Sequence, residues 1–368
     1  MALDRILLGH FRNHRETSLD GTAPFNLLVG QNGAGKTNVL EALSFLAPGR
    51  GLRRAALADV AAQDGPGGFA VSADLTTPSG PVRLGTGTAP ERPGRRIVQV
   101  NRAETPAVRL GEWLSLGWLT PAMDRLFMEG AGARRRFLDR LVLAIEPGHA
   151  RHAAQLENAL RERNRLLAEP FEPDPAWLDA IEAQLAEAGA AVAAARHRLI
   201  EALSGALAQW PDQPFARPDL AYAAGGPVDR AALVAALREG RRRDRAAQRT
   251  LTGPHRDDLV VTMAGKQQRA AECSTGEQKA MLIAITLAHA GLLDDDRPAL
   301  LLLDEVAAHL DPLRREALFD RLRAGRAQVW LTGTELAPFS GILDEAAVWR
   351  VSGGHVERAW PAGAQPRE

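Results

Sequence analysis

The chain has 368 residues, 45% of them apolar, with 45 basic and 45 acidic side chains and no formal net charge. That length holds two domains or one large one, and the apolar content excludes wholesale disorder. The charge balance neither supports nor excludes nucleic acid, because binding needs a local patch. No apolar run approaches the roughly 18 residues of a spanning helix, and Ile6–Leu8, flanked by Arg5 and His10, is too short for a signal peptide. The single cysteine, Cys273, excludes an internal disulfide framework and fits a reducing, cytoplasmic setting. Nearly all basic residues are arginine; Lys36, Lys266 and Lys279 are the only lysines. A lysine that survives such a bias is expected to be needed for its chemistry.

In chain order, Leu3–Phe11 reads as a first strand and Asn13–Gly21 as a polar turn. Phe25–Val29 reads as a second strand, the two forming a hairpin. The second strand runs into V-G-Q-N-G-A-G-K-T-N, which fits G-x-x-x-x-G-K-[ST] through Gly30, Gly35, Lys36 and Thr37. Val39–Leu46 then has helical spacing. A strand, a Gly-rich loop and a helix make a phosphate site: backbone N–H groups of Gly30, Gln31, Asn32, Gly33, Ala34 and Gly35 converge on one anion, and the helix adds its positive end. Lys36 supplies charge to the β- and γ-phosphates of ATP, and Thr37 a hydroxyl for Mg²⁺.

Short strands at Phe69–Leu75, Val82–Gly87 and Arg95–Val100, separated by Gly and Pro, predict an antiparallel sheet beside the nucleotide. Gly130 and Gly132 precede a helix whose first turn carries Arg134, Arg135 and Arg136. Cations there oppose the helix dipole, so carboxylates or phosphate should compensate, unless the turn is simply solvated. Ala150–Leu167 and Trp177–Trp210 are helical. Leu178, Ile181, Leu185, Ala188, Val192, Ala195 and Leu199 form a short heptad seam in the second, and E-P-F-E-P-D-P is the turn of an αα-hairpin arm. The next helix, Val228–Arg249, is crowded with arginine. Arg241, Arg242 and Arg243 are candidates for a DNA-backbone patch, with a solvated face as the rival reading.

Gly253–Asp258 is a turn into the strand Leu259–Met263. Ser274 and Glu277 make a capping box, so C-S-T-G-E-Q-K opens a helix whose start is either an anion site or only well capped. Leu300–Leu303 is a strand buried on both faces, as in a parallel sheet. It ends in Asp304 and Glu305 at the ligand edge of an open α/β sheet. Asp304 can hold the Mg²⁺ shell, and Glu305 can orient the attacking water. Asp294–Asp296 reads as a loop rather than a nuclease metal cluster.

The order of these blocks, with a helical stretch between them, resembles the ATP-binding-cassette heads of the structural-maintenance-of-chromosomes (SMC) group, and within it the RecF family. The resemblance runs nearly end to end. It is carried by F-R-N-H (Phe11–His14), the phosphate loop, R-R-R-F-L-D (Arg134–Asp139), E-R-N-R-L-L (Glu162–Leu167), G-P-H-R-D-D (Gly253–Asp258), S-T-G-E-Q-K (Ser274–Lys279) and L-L-D-E-V-A-A-H-L-D (Leu302–Asp311). It implies an α/β, P-loop ABC-type ATPase head with a mixed sheet over 1–120 and 251–368, and a helical arm domain over 121–250. It implies ATP bound between two subunits, the loop of one facing Ser274, Gly276 and Gln278 of the other, with Asp311 crossing the interface. Arg12 and Asn13 would lie near the phosphates or base. The function implied is an ATP-driven homodimer on single-stranded and duplex DNA at gaps, working with RecR and RecO to load RecA in DNA repair, replication restart and the SOS response. Two departures suit slow hydrolysis. Thr332-Gly333-Thr334 stands where transporter cassettes carry a switch histidine, and no glutamine between Pro121 and Arg134 positions the water. The alternative is a transport-type cassette with a membrane partner. Against it stand that missing histidine, the arm and the wide separation of the motif blocks.

Overall fold

The apolar alternation of the N-terminus gives β1 (Leu3–Phe11), with Leu3, Ile6, Leu8 and Phe11 buried. Its partner is not Phe25–Val29. It pairs antiparallel with β2 (His14–Asp20), while β3 (Phe25–Val29) joins a different sheet. The expected hairpin and polar turn are thus corrected. The inward residues of β2 are His14, Thr17 and Leu19, two of them polar, so the period-two alternation is hidden in a hydrophobicity reading.

Among residues 2–293 and 296–359, which this computed structural model describes, the chain continues through α1 (Lys36–Ser44), β4 (Phe69–Thr77), β5 (Gly80–Ala89), β6 (Arg92–Val100), β7 (Ala103–Glu104) and β8 (Ser115–Leu119). Then come α2 (Ala131–Ile145), α3 (His149–Ala168), α4 (Pro175–Ala208), β9 (Pro218–Ala223), α5 (Arg230–Ala246), β10 (Asp258–Met263), β11 (Gln268–Arg269) and α6 (Thr275–Ala290). The last elements are β12 (Ala299–Leu303), α7 (Pro312–Ala324), β13 (Gln328–Gly333), β14 (Ala346–Ser352) and β15 (His355–Ala359). Asp294 and Asp295 of the acidic run lie outside the described residues.

Two units result: Met1–Met123 with His289–Glu368, and Asp124–Ala288. The first holds two six-stranded sheets. One is antiparallel, in the order β2-β1-β4-β5-β6-β7, as the spacing of its short strands predicts. The other is β15-β14-β3-β13-β12-β8, parallel except for β14–β15. Both contribute to one core with α1, including Phe11, Leu28, Leu40, Phe45, Phe69 and Trp330. The four-leucine strand β12 lies inside this sheet, fully buried, between β13 and β8. β8 was not read as a strand from the sequence.

The second unit is built on α3, α4 and α5. All seven residues of the heptad seam on α4, which is 34 residues long, are buried. The three-stranded sheet β11-β10-β9 completes the unit. The strand β9, not read from the sequence, pairs along its whole length with β10. This pairing groups residues 251–288 with the helical unit, whereas the sequence reading divides the chain at 250/251.

The basic first turn of α2 is compensated by carboxylate. Arg134 donates to both oxygens of Asp258 at 2.7 and 2.6 Å, and Arg135 donates to the Asp257 carbonyl at 2.6 Å. Nearby, Arg196 donates to Asp139 at 2.8 and 2.9 Å and to Asp257 at 2.8 Å. A second cluster centres on Arg163, which is 0% exposed. It donates to Glu182 at 3.0 Å, Asp244 at 2.7 Å, Thr250 at 2.8 Å and the Leu237 carbonyl at 3.0 Å, tying α3 to α4 and α5. Removing this cation takes a shared arginine from two buried carboxylates, leaving Glu182 with Arg241 and Asp244 without its Arg163 partner. Arg163→Ala should therefore lower stability by about 3–5 kcal/mol, read as a shift in the denaturant midpoint of helix unfolding. A shift below about 1 kcal/mol would mean the cluster behaves as a surface pair.

Candidate nucleotide-binding site

The loop Gly30–Gly35 connects β3 to α1 at the carboxyl edge of the parallel sheet. Two glycines are forced by space and backbone. A Cβ at Gly30 would stand 2.1 Å from the Val351 carbonyl oxygen. Gly35, the N-cap of α1, has φ 116°, and a Cβ there would press on Asn13 and His14 at 2.8–2.9 Å. Lys36 folds across the loop, its Nζ donating to the carbonyls of Gly30 (2.6 Å) and Gln31 (2.9 Å). Burial pulls its pKa down, against the opposing pull of Glu305 and Asp304. Uncapped N–H groups at a helix start, with an ammonium beside them, are the donor set a polyphosphate needs.

The acids predicted from the sequence meet this loop. Thr37 Oγ1 donates to Asp304, 2.9 Å from Oδ1 and 3.1 Å from Oδ2. Asp304 is 5% exposed, and burial raises its pKa while hydrogen bonds from Thr332 and Thr37 lower it. No group of three or more His, Cys, Asp or Glu among the described residues forms a metal cage. A hydroxyl and a carboxylate side by side instead fit Mg²⁺, which takes one or two protein oxygens and completes its octahedron with water and phosphate. Glu305 follows with φ 53°, in the left-handed region.

Arg12 and Asn13 stand beside the loop and its helix. Arg12 donates to both oxygens of the buried Glu41 at 2.9 and 2.8 Å and to the Asp59 carbonyl at 2.6 Å. It braces α1. Asn13 braces the loop: its Nδ2 donates to the Ala34 carbonyl at 3.0 Å, and its Oδ1 accepts from Asn38 at 2.7 Å. His14 completes the clasp, Nε2 lying 3.1 Å from the Gly35 carbonyl and Nδ1 3.1 Å from Thr17. Beside them lies a concavity of about 920 Å³, lined among others by Arg12, Asn13, Asn38, Gln63, Gly354 and His355. Its volume suits a nucleoside.

In the second unit, the capping box is present. Glu277 accepts from the N–H and hydroxyl of Ser274 at 2.9 Å each, and Lys266 pairs with the same carboxylate. These contacts, led by Lys266, pull Glu277 to about 2. Ser274, Thr275 and Gly276 are exposed, with open space around the Gly276 Cβ position. Gln278 is a correction: it is 2% exposed and its amide donates to the Cys273 carbonyl at 2.9 Å, so its side chain serves the helix start. Asp311 caps α7, accepting from Arg314 N at 2.9 Å. Arg241 is a second correction. It donates to the buried Glu182 at 3.1 and 2.6 Å and also pairs with Asp179, whereas Arg242 and Arg243 are exposed. Glu182, buried on α4, claims that one arginine.

Thr332, Glu41, Asn38 and His14 were missed as site residues. The positions of Asn38 and Glu41 within the first two turns of the helix after the loop are the signal that could have found those two.

A phosphate loop on one strand, an acid pair on another and a capped S-T-G-E-Q helix define a head of the RecF/RecN/SMC class. The model of that family, "RecF/RecN/SMC N terminal domain", matches residues 2–341. The DNA replication and repair protein RecF of Mesorhizobium japonicum is 46% identical over 368 residues, covering 96% of this chain and 97% of that protein. The RecF of Brucella abortus strain 2308 is 45% identical, covering 97% and 96%. Among solved structures, the recombination mediator protein RecF-ATP in the RecFOR pathway superposes with a TM-score of 0.85 at 22% identity, covering 97% of each chain. The Smc head domain of Pyrococcus furiosus superposes at 0.54 and 16%, covering 97% and 96%. The chain belongs to the RecF family of DNA replication and repair proteins.

The clasp on the loop is pH-sensitive. His14 is buried and its pKa lies below the usual histidine value, chiefly through desolvation. Its unfolded form binds a proton first, so the stability this neutral imidazole contributes is complete above about pH 6.5 and falls as pH drops toward the folded value. Thermal unfolding should show the parent losing more stability than His14→Gln between about pH 7.5 and 5.5. Equal losses would separate His14 from that acid sensitivity.

Proposed function

We propose that the chain is an ATP-driven DNA-binding switch: a recombination mediator that dimerises on ATP, binds DNA at gaps and hydrolyses ATP slowly. The observation that carries this reading is the meeting of Thr37 and Asp304 at 2.9 Å, beside Lys36 and Glu305. It supports a Mg²⁺-ATP site in which Thr37 and Asp304 would hold Mg²⁺, and the ion would supply charge neutralisation to the phosphates. The Lys36 ammonium leaves its loop carbonyls for phosphate oxygens, and the loop N–H groups hold them. The Glu305 carboxylate accepts the proton of the attacking water. The exposed Ser274–Gly276 helix start is suited to cap the nucleotide of a second subunit, with Asp311 crossing the same interface.

The family supports DNA as the partner, and the pathway named for the solved relative supports RecO and RecR as co-workers. A cytoplasmic setting follows from that role, and no described helix is long and apolar enough to cross a membrane. The transport-type alternative is set aside. Thr332-Gly333-Thr334 carries no histidine, and at Gly333 a side chain would collide with the buried Phe339 ring at 2.4 Å.

Gly276→Arg tests the shared site, since the parent has open space at that Cβ and the variant should fold. It should bind ATP as the parent does yet remain monomeric in light scattering and lose ATP-dependent binding of gapped DNA. An ATP-dependent dimer of normal affinity would overturn the reading. Of the arginine patch, Arg242 and Arg243 remain candidates. Replacing both with alanine should reduce the slope of log affinity against log salt by about 0.9 per lost contact. An unchanged slope in a DNA-binding titration would move the patch elsewhere.

A further inference from the structure

We infer that Thr332 is a positioning residue for the metal and water ends of this site, an inference that rests on the Mg²⁺-ATP reading above. Its hydroxyl touches the carboxylate of Asp304 and the backbone of Glu305. Oγ1 donates to Asp304 Oδ1 at 2.8 Å and accepts from the backbone N–H of Glu305 at 2.8 Å. One hydroxyl has one proton and two lone pairs, so both bonds are met at once.

Its placement follows from the sheet. Leu303 of β12 faces Leu331 of β13 in parallel register, so Thr332 comes next to Asp304 at the strand ends. Thr332 is 1% exposed. It is also β-branched, with few χ1 states to choose from. Asp304 is pinned on the opposite side by its own N–H, which donates to the Leu119 carbonyl at 2.9 Å. With Thr37 as its other side-chain donor, the carboxylate has a fixed orientation toward the loop.

The second bond acts on the backbone. In an extended strand Glu305 would point to the face opposite Asp304. Its φ of 53° breaks that alternation, in a region where a Cβ is unfavourable. No ladder partner holds the Glu305 N–H; a side-chain oxygen on the neighbouring strand does. Thr332 thereby sets the direction of the metal ligand and the chain reversal that carries the water-activating acid. Neighbours of this kind typically alter metal affinity or turnover by about 10–100-fold.

Thr332→Val removes the hydroxyl at nearly constant shape, and Thr332→Ser restores it. Fluorescent-ATP affinity would be measured with Mg²⁺ and with EDTA, alongside kcat and KM. Thr332→Val should match the parent in EDTA and lose about ten-fold or more of the affinity gained from Mg²⁺. Its kcat should fall at least as far, its KM should rise with the weakened Mg²⁺-ATP affinity because turnover is slow, and Thr332→Ser should recover most of both. A second readout needs no substitution and no nucleotide: in the parent, hydrogen exchange at the Glu305 amide should be slow although the residue lies beyond the strand. Fast exchange there, or a Thr332→Val protein with the parent's Mg²⁺ gain and kcat, overturns the inference. A parent that gains no ATP affinity from Mg²⁺ overturns the Mg²⁺-ATP reading itself.

Discussion

A carboxylate nearly sealed from water, one residue before a second carboxylate, is the constraint on which the site depends. Burial alone favours the neutral acid at Asp304, and a neutral acid would be a poor ligand for a cation. The surroundings supply what water would have supplied. Thr37 reaches it from the first turn of α1, Thr332 reaches it from β13, and Leu119 at the end of β8 accepts its N–H. Two come from the neighbouring strands, and the third from the helix that follows β3. The order β14-β3-β13-β12-β8 is therefore the arrangement that lets these groups meet, with β14 pressing the Val351 carbonyl against Gly30 from the other side.

The phosphate loop is held in the same manner at both ends of its helix. At the start, Asn13 and His14 from the β1–β2 turn bond the carbonyls of Ala34 and Gly35. Along α1, the buried Glu41 is neutralised by Arg12 and Arg53. At the far end, Arg96 of β6 donates to Thr86 and to the carbonyls of Ala47 and Gly49, and burial brings its pKa down to about 10. Helix carbonyls left over at a C-terminus need donors, and a cation is the favoured one. The antiparallel sheet thus grips α1 through its arginines and its first turn.

Legibility tracked whether a residue's role is local. The phosphate loop, the buried run Leu300–Leu303, the Ser274–Glu277 box and the heptad seam announce themselves through spacing within a few residues, and each stands where the sequence places it. What failed depends on partners far along the chain. β2 buries His14 and Thr17 because they bond each other and the carbonyls of Gly35 and Gly354, which no hydrophobicity pattern records. Arg241 looks like its neighbours Arg242 and Arg243 until Glu182, 59 residues away, is placed beside it. Gln278 sits within a surface motif yet faces inward, since a helix turns about 100° per residue. Thr332 reads as a strand end whose hydroxyl acquires meaning only from the register with β12.

Two of the motifs that carry the family resemblance are joined to each other by ion pairs. R-R-R-F-L-D and G-P-H-R-D-D fold into one ionic lattice in the second unit, through Arg134 with Asp258 and Arg196 with Asp139 and Asp257. Burial would raise Asp139, but His149 and Arg196 hold it near 2. Tyr222 also donates to Asp257, from the strand β9 that pairs with β10. Paired charges in low dielectric are poor sources of net stability, yet breaking one partner is costly, so they fix an arrangement more than they strengthen it. The arrangement fixed here joins α2, α4 and β10, and β10 leads through β11 into the start of α6. A helix start that is to cap a second subunit's nucleotide, as proposed above, gains from such a mount. Its Ser274–Gly276 face is exposed and would lose orientation if β10 could slide. The lattice makes each carboxylate answer to a particular arginine, so sliding by one residue would strand charges on both sides.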